Sequence, residues 1–376
     1  MSKVAGVVAL LDKLSNVNAD QIAEAAKAAE AKLIRTIEPA PELITPMVPD
    51  FVTDNLALSA GDVAVPFLHA YDAWGEEKGV CVTGPTGTGK TTLIKAFVDR
   101  LNAPIIAYNL AVFARNKERV LAGVTVPEQY EAYRPVKALK LVQSAEETRA
   151  ADLIGETGLT YDEAGNRHIE EMLGAATEAY TEGHPLLMDE ADAIPSGVMA
   201  AMHGILDRNS RRVQVWLNGR KEYRRHEEFS VSFTMNTKGY GENSVEYGHA
   251  QTQSRALFTR ISYMLEMGYM EEAAEVALVA ARTPEVPEQV IPKMVQAANR
   301  IRKVYIGGSL NLIVSTREVE AWAREIRRSL RRSKAGAWSD SDLWTRVCVP
   351  AAGPTLCAKA EDKATAQAVT KELSWR

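Results

Sequence analysis

The sequence predicts a parallel α/β domain followed by a helical lid, and three observations carry that prediction. Apolar strand-like segments alternate with helical ones as far as about residue 265, after which only helical patterns follow. A glycine-rich run, "GPTGTGKT" from Gly84 to Thr91, sits between one such strand and one such helix. A second apolar strand, in "HPLLMDEADAIP", ends on two adjacent acids, Asp189 and Glu190.

Composition narrows the class. The chain has 376 residues, 46% apolar and 25% charged, which is ordinary for a globular protein and long enough for more than one domain. No apolar run has membrane-spanning length, and the N-terminal apolar stretch is too short for a secretory signal, so a cytoplasmic, non-membrane protein is expected. A net charge of −5 argues against a dedicated nucleic-acid binder while leaving room for a local basic surface. Cys81, Cys348 and Cys357 show neither metal-ligand spacing nor a disulfide framework.

The elements are expected in this order. Residues 18–36 are alanine-rich and charged, a helix signal, and "EPAPELITPMVPD" then reads as an extended linker, which gives a helical segment with linker over 1–54. An α/β core spans 55–268. It opens with the strand Val80–Thr83 and the helix of "TTLIKAFVDRL", and "APIIAYNL" is its expected second strand. A stretch of mixed helical character at about 113–148 reads as an insertion. A hairpin follows at about 157–169 around "DEAGN", then a helix over Glu170–Glu182. The strand of "HPLLMDE", a second hairpin at about 211–225 around "NGR", and the strand of "FSVSFTMNT" complete the core. A helical lid is expected over 269–335 and a loosely defined tail over 336–376.

The glycine-rich run carries the chemistry. It fits the Walker A pattern GxxxxGK[ST], whose backbone N–H groups surround phosphates at a helix N-terminus; the bland alternative is a turn that happens to end in lysine. In the phosphate reading, Gly84, Gly87 and Gly89 permit close backbone approach, Pro85, Thr86, Thr88 and Thr92 complete the cradle, Lys90 reaches the β/γ-phosphates and Thr91 holds Mg2+. Asp189 is then assigned to the magnesium shell and Glu190 to polarising the attacking water. Strand-ending acids also occur as solvated or capping groups. Asn236 in "FTMNT" stands where an amide could orient water or touch the γ-phosphate, or simply turn the chain.

The ordered set "GPTGTGKT", "DLIGE" with its hairpin, "LLMDEADAIP", "RRVQVWLNGR", "FTMNTKGYGENSVEYGHAQTQSRALFTRISY" and "STREVEAWA" resembles AAA+ ATPases of the MoxR group. Within that group it is most similar to the CobS-type ATPase subunit of cobaltochelatase, over roughly 60–330. The resemblance implies a P-loop AAA+ αβα core with a C-terminal helical lid, using ATP and Mg2+. It also implies Asn236 as sensor 1, Arg260 as arginine finger and Arg317 as sensor 2, and hairpins that face a ring pore or partners. It implies a homo-oligomeric ring, usually a hexamer, and a protein partner bearing a von Willebrand factor A domain. The 113–148 stretch departs from the pattern by lengthening the connection after "AYNL".

Two basic clusters, Arg208 to Arg225 on the second hairpin and Arg324 to Lys334 on the lid helix, could track phosphates or be solvated faces and subunit contacts. The functions in view are therefore a chaperone-like, ATP-driven remodeller of a protein partner, with a metal chelatase motor as its narrower version, a nucleic-acid-stimulated motor, and a nucleotide-switched scaffold.

Overall fold

The computed structural model describes residues 27–28, 31–48, 56–61, 63–124, 126–162, 165–207, 212–216, 220–237, 255–306, 310, 312–332 and 339–374. The chain forms two units, one of residues 48–98 with 138–376 and one of residues 1–47 with 99–137. No described helix is long and apolar enough to cross a membrane.

The elements run β1 (Leu58–Ala60), β2 (Val63–Ala64), α1 (Phe67–Glu77), β3 (Cys81–Thr83), α2 (Lys90–Leu121) and β4 (Lys140–Gln143), then α3 (Ala150–Ile154), β5 (Gly155–Tyr161), β6 (Arg167–Leu173), α4 (Ala175–Glu182) and β7 (Pro185–Asp189). There follow α5 (Ser196–Ala201), α6 (His203–Leu206), β8 (Arg212–Trp216), β9 (Arg220–Arg224), β10 (Ser230–Met235), α7 (Arg255–Phe258) and β11 (Met264–Met267).

In the larger unit seven strands form one sheet, in the order β2-β1-β11-β3-β10-β7-β4. The five strands from β11 to β4 are parallel, while β1 and β2 close one edge antiparallel. Parallel strands covered on both faces read as continuous apolar runs. That is why β3, β7 and β10 were legible: Cys81–Thr83 and Pro185–Met188 are buried throughout. One face packs Leu186, Met188 and Phe233 against Leu153, Tyr180 and Phe229. Against Phe97 of α2 stack Phe67, Tyr71 and Trp74 of α1, and the Trp74 indole N–H donates to Ser232 Oγ at 3.0 Å. Since the parallel strands point one way, Thr83, Asp189 and Met235 all open onto the same edge of the sheet.

Several elements differ from expectation. "APIIAYNL" is not a strand but lies inside α2, with Pro104 in the helix interior. Such a proline removes a donor and costs about 3 kcal/mol, so a break was the natural reading. In the smaller unit the helix is held instead by Asn102, Asn109 and Asn116, all buried. Each side chain donates to a backbone carbonyl and accepts from the amide of that same residue, Asn102 with Lys137 at 3.0 and 2.8 Å, Asn109 with Arg134 at 2.9 and 2.8 Å and Asn116 with Glu131 at 2.9 and 2.9 Å, and Asn109 donates also to the Leu43 carbonyl at 2.9 Å. Seven helical residues rise about 10.5 Å and three extended residues about 9 to 10 Å, so a seven-residue period reads an extended chain every third residue. The second parallel strand is β4, inside the 113–148 stretch that the sequence presents as an insertion.

The first hairpin is longer than 157–169: Gly155 pairs with Leu173, so residues 170–173 are strand rather than helix. The helix begins at Ala175, after Gly174 in extended backbone, where a Cβ would stand 2.4 Å from the Leu153 carbonyl carbon and only glycine fits. The second hairpin pairs Arg212 with Arg224, and its "NGR" turn lies largely outside the described residues, as does most of 1–36.

Beyond the sheet, α8 (Glu272–Arg282), α9 (Ile291–Ile306) and α10 (Thr316–Arg332) gather around the fully buried Trp322. Residues 336–376, expected as a loose tail, contain α11 (Asp340–Leu343), a π turn at Trp344–Cys348, α12 (Val349–Thr355) and α13 (Lys363–Leu373). Leu343, Val347, Cys348, Leu356, Val369 and Leu373 join the Trp322 core, and the Trp322 indole donates to the Cys348 carbonyl at 2.7 Å. Short helices interrupted by Pro350 and Pro354 blur the apolar period, which hid this packing from the sequence reading.

Candidate functional site

The loop from Gly84 to Gly89 leaves β3 at the carboxyl edge of the sheet and feeds the N-terminus of α2. Its backbone cannot carry side chains at the crowded points. At Gly84, φ is +146° and a Cβ would meet the Met267 carbonyl oxygen at 2.2 Å; at Gly87, φ is +78° and a Cβ would meet Ser315 Cβ at 2.3 Å. Lys90 folds back under the loop, donating to the carbonyls of Gly84 at 2.7 Å and Pro85 at 3.0 Å and to Asn236 Oδ1 at 2.9 Å. Thr88 Oγ1 donates to the Pro85 carbonyl at 3.0 Å, and Thr86 Oγ1 to Asn236 Oδ1 at 3.3 Å. Burial pushes the Lys90 ammonium down to about 8, against the opposing pull of Asp192, Asp189 and Glu190.

The end of β7 meets this loop. Thr91 Oγ1 lies 2.8 and 3.0 Å from the two carboxylate oxygens of Asp189, and the Thr234 hydroxyl donates to Asp189 from β10. Thr234 Oγ1 in turn accepts the Glu190 N–H at 2.9 Å. Glu190 has φ +56°, a left-handed conformation that costs a non-glycine residue about 1–2 kcal/mol. Such strain gathers where a side chain must be aimed. Cys81, in the adjoining β3, is inert, since burial pushes its thiol up to about 12.

The lid contributes from above Gly87. Ser315 caps α10, with Glu318 accepting its N–H at 3.0 Å, and Arg317 is the exposed second residue of that helix. Arg260 is elsewhere. It lines a cavity with Gly79, Val80, Val231 and Phe233, at the edge where β3 and β10 begin, opposite to Lys90. Burial and the Arg260 cation hold the nearby His203 imidazole below its ordinary range.

Residues 75–226 match the AAA domain family, and residues 275–339 match the CbbQ/NirQ/NorQ C-terminal family. The chain thus carries an AAA domain followed by a CbbQ/NirQ/NorQ C-terminal domain, and it resembles MoxR-type AAA+ proteins. It is 27% identical over 282 residues to the aerobic cobaltochelatase subunit CobS of a Sinorhizobium species, covering 73% of this chain and 70% of that one. Two solved structures of Thermotoga maritima RuvB, each of a point mutant, overlie 76% of this chain with TM-scores of 0.44 and 0.40 at 11% and 12% identity. The chain spans 66% of the length of each, slightly under two thirds.

Of the sequence-expected residues, this fold brings together Lys90, Thr91, Asp189, Glu190 and Asn236, leaves Arg317 exposed two residues after the Ser315 that meets Gly87, and keeps Arg260 apart. It also reveals Asp192, which the motif spacing does not single out. Asp192 is 2% exposed, and its Oδ2 accepts from the Asn236 N–H at 2.9 Å, the Thr237 N–H at 3.0 Å and the Thr237 hydroxyl at 3.2 Å. A third acid two residues after Glu190, in "DEAD", was the available signal. The donor set also suits a magnesium ion shared with phosphates. One hydroxyl and one carboxylate face each other, and among the described residues no cluster of three His, Cys, Asp or Glu offers an all-protein metal cage.

Proposed function

We propose that this protein is an ATP-hydrolysing ring ATPase that uses binding and hydrolysis to remodel or activate a protein partner. The observation that carries the proposal is the convergence of the Lys90 ammonium, the Thr91–Asp189 pair and the Asn236 amide at the N-terminus of a 32-residue helix. The three acceptors now on Lys90 can be exchanged for phosphate oxygens, with the loop amides and helix dipole aiding the anion. Thr91 and Asp189 would hold the magnesium, which supplies charge neutralisation at the β/γ-phosphates. Glu190 would polarise the attacking water, with Asn236 orienting it. The apolar hollow beside Leu56, Ala57, Val65 and Pro66 would take the base, since Leu56 Cδ2 stands 3.6 Å from where a Gly89 Cβ would be.

Arg260 at the far edge of the sheet supports a role in trans, as a finger offered to a neighbouring subunit in a ring, usually a hexamer. A guanidinium so placed is worth roughly 10³–10⁵ in rate. Arg317 would sense the γ-phosphate from the lid. The partner would be a protein, with a von Willebrand factor A domain as the form that this group implies, in a cytoplasmic setting. The similarity to a cobaltochelatase subunit favours, as a second reading, the motor of a metal chelatase acting on a tetrapyrrole. A nucleic-acid motor is less supported, because the basic clusters are largely paired within the chain. Arg212 meets Glu222, Lys221 meets Glu171, and Arg327 and Arg331 meet Glu285, while Arg208 and Arg211 lie outside the described residues.

The test is magnesium-dependent ATP turnover by purified protein at ring-forming concentrations. Turnover is expected to vanish in Lys90→Ala, and Glu190→Gln is expected to retain bound ATP. Undetectable turnover in the wild-type ring overturns the proposal, and stimulation by DNA or RNA alone transfers it to the nucleic-acid reading.

A further inference from the structure

Away from the residues assigned above, the lid contains an ion pair withdrawn from water: Glu275 of α8 is 0% exposed and Arg302 of α9 is 3% exposed. The guanidinium forks onto the carboxylate, Nη1 to Oε2 at 2.6 Å and Nη2 to Oε1 at 2.8 Å. Nη1 also donates to Asn299 Oδ1 at 2.8 Å, and Nε donates to the Val314 carbonyl at 2.6 Å. The Tyr269 ring covers the guanidinium at 4.4 Å. Burying two charges is expensive, and an apolar pair of similar volume is often as stable or more so. Stability alone therefore does not account for charge at this point.

What an apolar pair could not provide is the bond to Val314. That residue directly precedes Ser315, the cap of α10 that packs on Gly87 of the phosphate loop, and Arg317 follows two residues later. Tyr269 lies in the segment that joins β11 to α8, where the sheet hands over to the lid. One guanidinium thus joins the entry to the lid, its first two helices and the segment that touches the loop.

We propose that Glu275 and Arg302 form a positioning pair, which fixes Val314–Arg317 to α8 and α9 so that lid and phosphate loop move as linked bodies. The proposal rests on the nucleotide reading above. Neither residue reaches the phosphate loop itself. The planar fork is what lets one side chain hold the carboxylate and the carbonyl together.

The test uses the full-length chain carrying Glu275→Leu and Arg302→Met together, which removes both charges while keeping bulk. The thermal melt is expected to stay near wild type, with one nucleotide still bound per chain. Amide exchange at 315–319 should quicken about tenfold or more through loss of the charged bond to Val314, while exchange at Trp322–Ile326 stays unchanged. kcat for ATP should fall about tenfold with KM unaltered, the equivalent of about 1.4 kcal/mol lost from the transition state alone. Wild-type exchange at 315–319 in the folded double variant overturns the proposal. Should the double variant fail to fold, Arg302→Lys keeps the charge but cannot make both bonds; it is expected to show the same fast exchange, and wild-type exchange there overturns the proposal equally. A wild-type chain without turnover would sink the ATPase reading alone, because the exchange at 315–319 still decides the positioning role.

Discussion

Replacing Asp192 by alanine should break the candidate site without touching any group that faces phosphate. The Asp192 carboxylate oxygen is the shared acceptor for two backbone amides and one hydroxyl, at 2.9, 3.0 and 3.2 Å, in surroundings where Asp192 and Thr237 are 2% and 5% exposed. Alanine takes this shared acceptor away from all three donors. Each buried unsatisfied donor costs about 1–3 kcal/mol, and water entering the vacated volume recovers part, so a net loss of about 2–5 kcal/mol is expected. The loss falls on the segment that carries Asn236, whose amide oxygen contacts Lys90 at 2.9 Å and Thr86 at 3.3 Å. ATP turnover should therefore drop at least tenfold while a fluorescent ATP analogue still binds. Asp192→Asn keeps an acceptor of the same shape but gives up the charge, and bonds to neutral acceptors are roughly half as strong, so it should fall between the two. Thermal melts, analogue binding and turnover on the three proteins together decide the matter. An alanine variant that melts and turns over like wild type would refute the view that Asp192 holds Asn236 in place.

Other expectations follow from the same geometry. With Lys90 at about 8 in the free protein and charged when phosphate is bound, nucleotide binding must recruit a proton as pH rises through 8, so affinity should be about tenfold weaker at pH 9 than at pH 7. Calorimetry at pH 8 in buffers of different ionisation enthalpy should register the proton uptake, and pH-independent affinity would contradict it. In the free protein the sign is the reverse: the folded state binds fewer protons than the unfolded one between about 8 and 10.5, so this lysine's contribution to stability improves with pH across that window. Gly87→Ala should abolish nucleotide binding, because a Cβ 2.3 Å from Ser315 Cβ forces loop and lid apart, and a binding titration with the labelled analogue reports it. Asn109→Leu, close in volume, should expose residues 131–137 to limited proteolysis and cost about 2–4 kcal/mol in a melt, since it strips the partners of Arg134 and of the Leu43 carbonyl.

Chemistry that is contiguous in the chain was open to inspection beforehand. The loop from Gly84 to Thr92, the acids closing β7 and Asn236 closing β10 each announce themselves, because an apolar run ending in a polar group places that group at a strand end whatever the rest of the fold does. The fold class was legible for the same reason: strands buried on both faces must be apolar throughout. The errors share a cause as well. "APIIAYNL" has strand composition and a proline, and what supports it as helix, the asparagine ladder among other contacts, pairs residues 15 to 35 positions apart. The segment "KLVQ" is too short and too mixed to declare itself as β4.

Read alone, then, the amino-acid order determined on which kind of element each candidate group stands, since loop conformation and strand termination are local matters. The folded chain alone decided how those groups are held. Asp192 under Asn236, Ser315 against Gly87, Arg302 on the Val314 carbonyl and Arg260 at the opposite edge are relations between distant positions. Their strength comes from exclusion of water, a property that belongs to the packed interior and to no stretch of sequence.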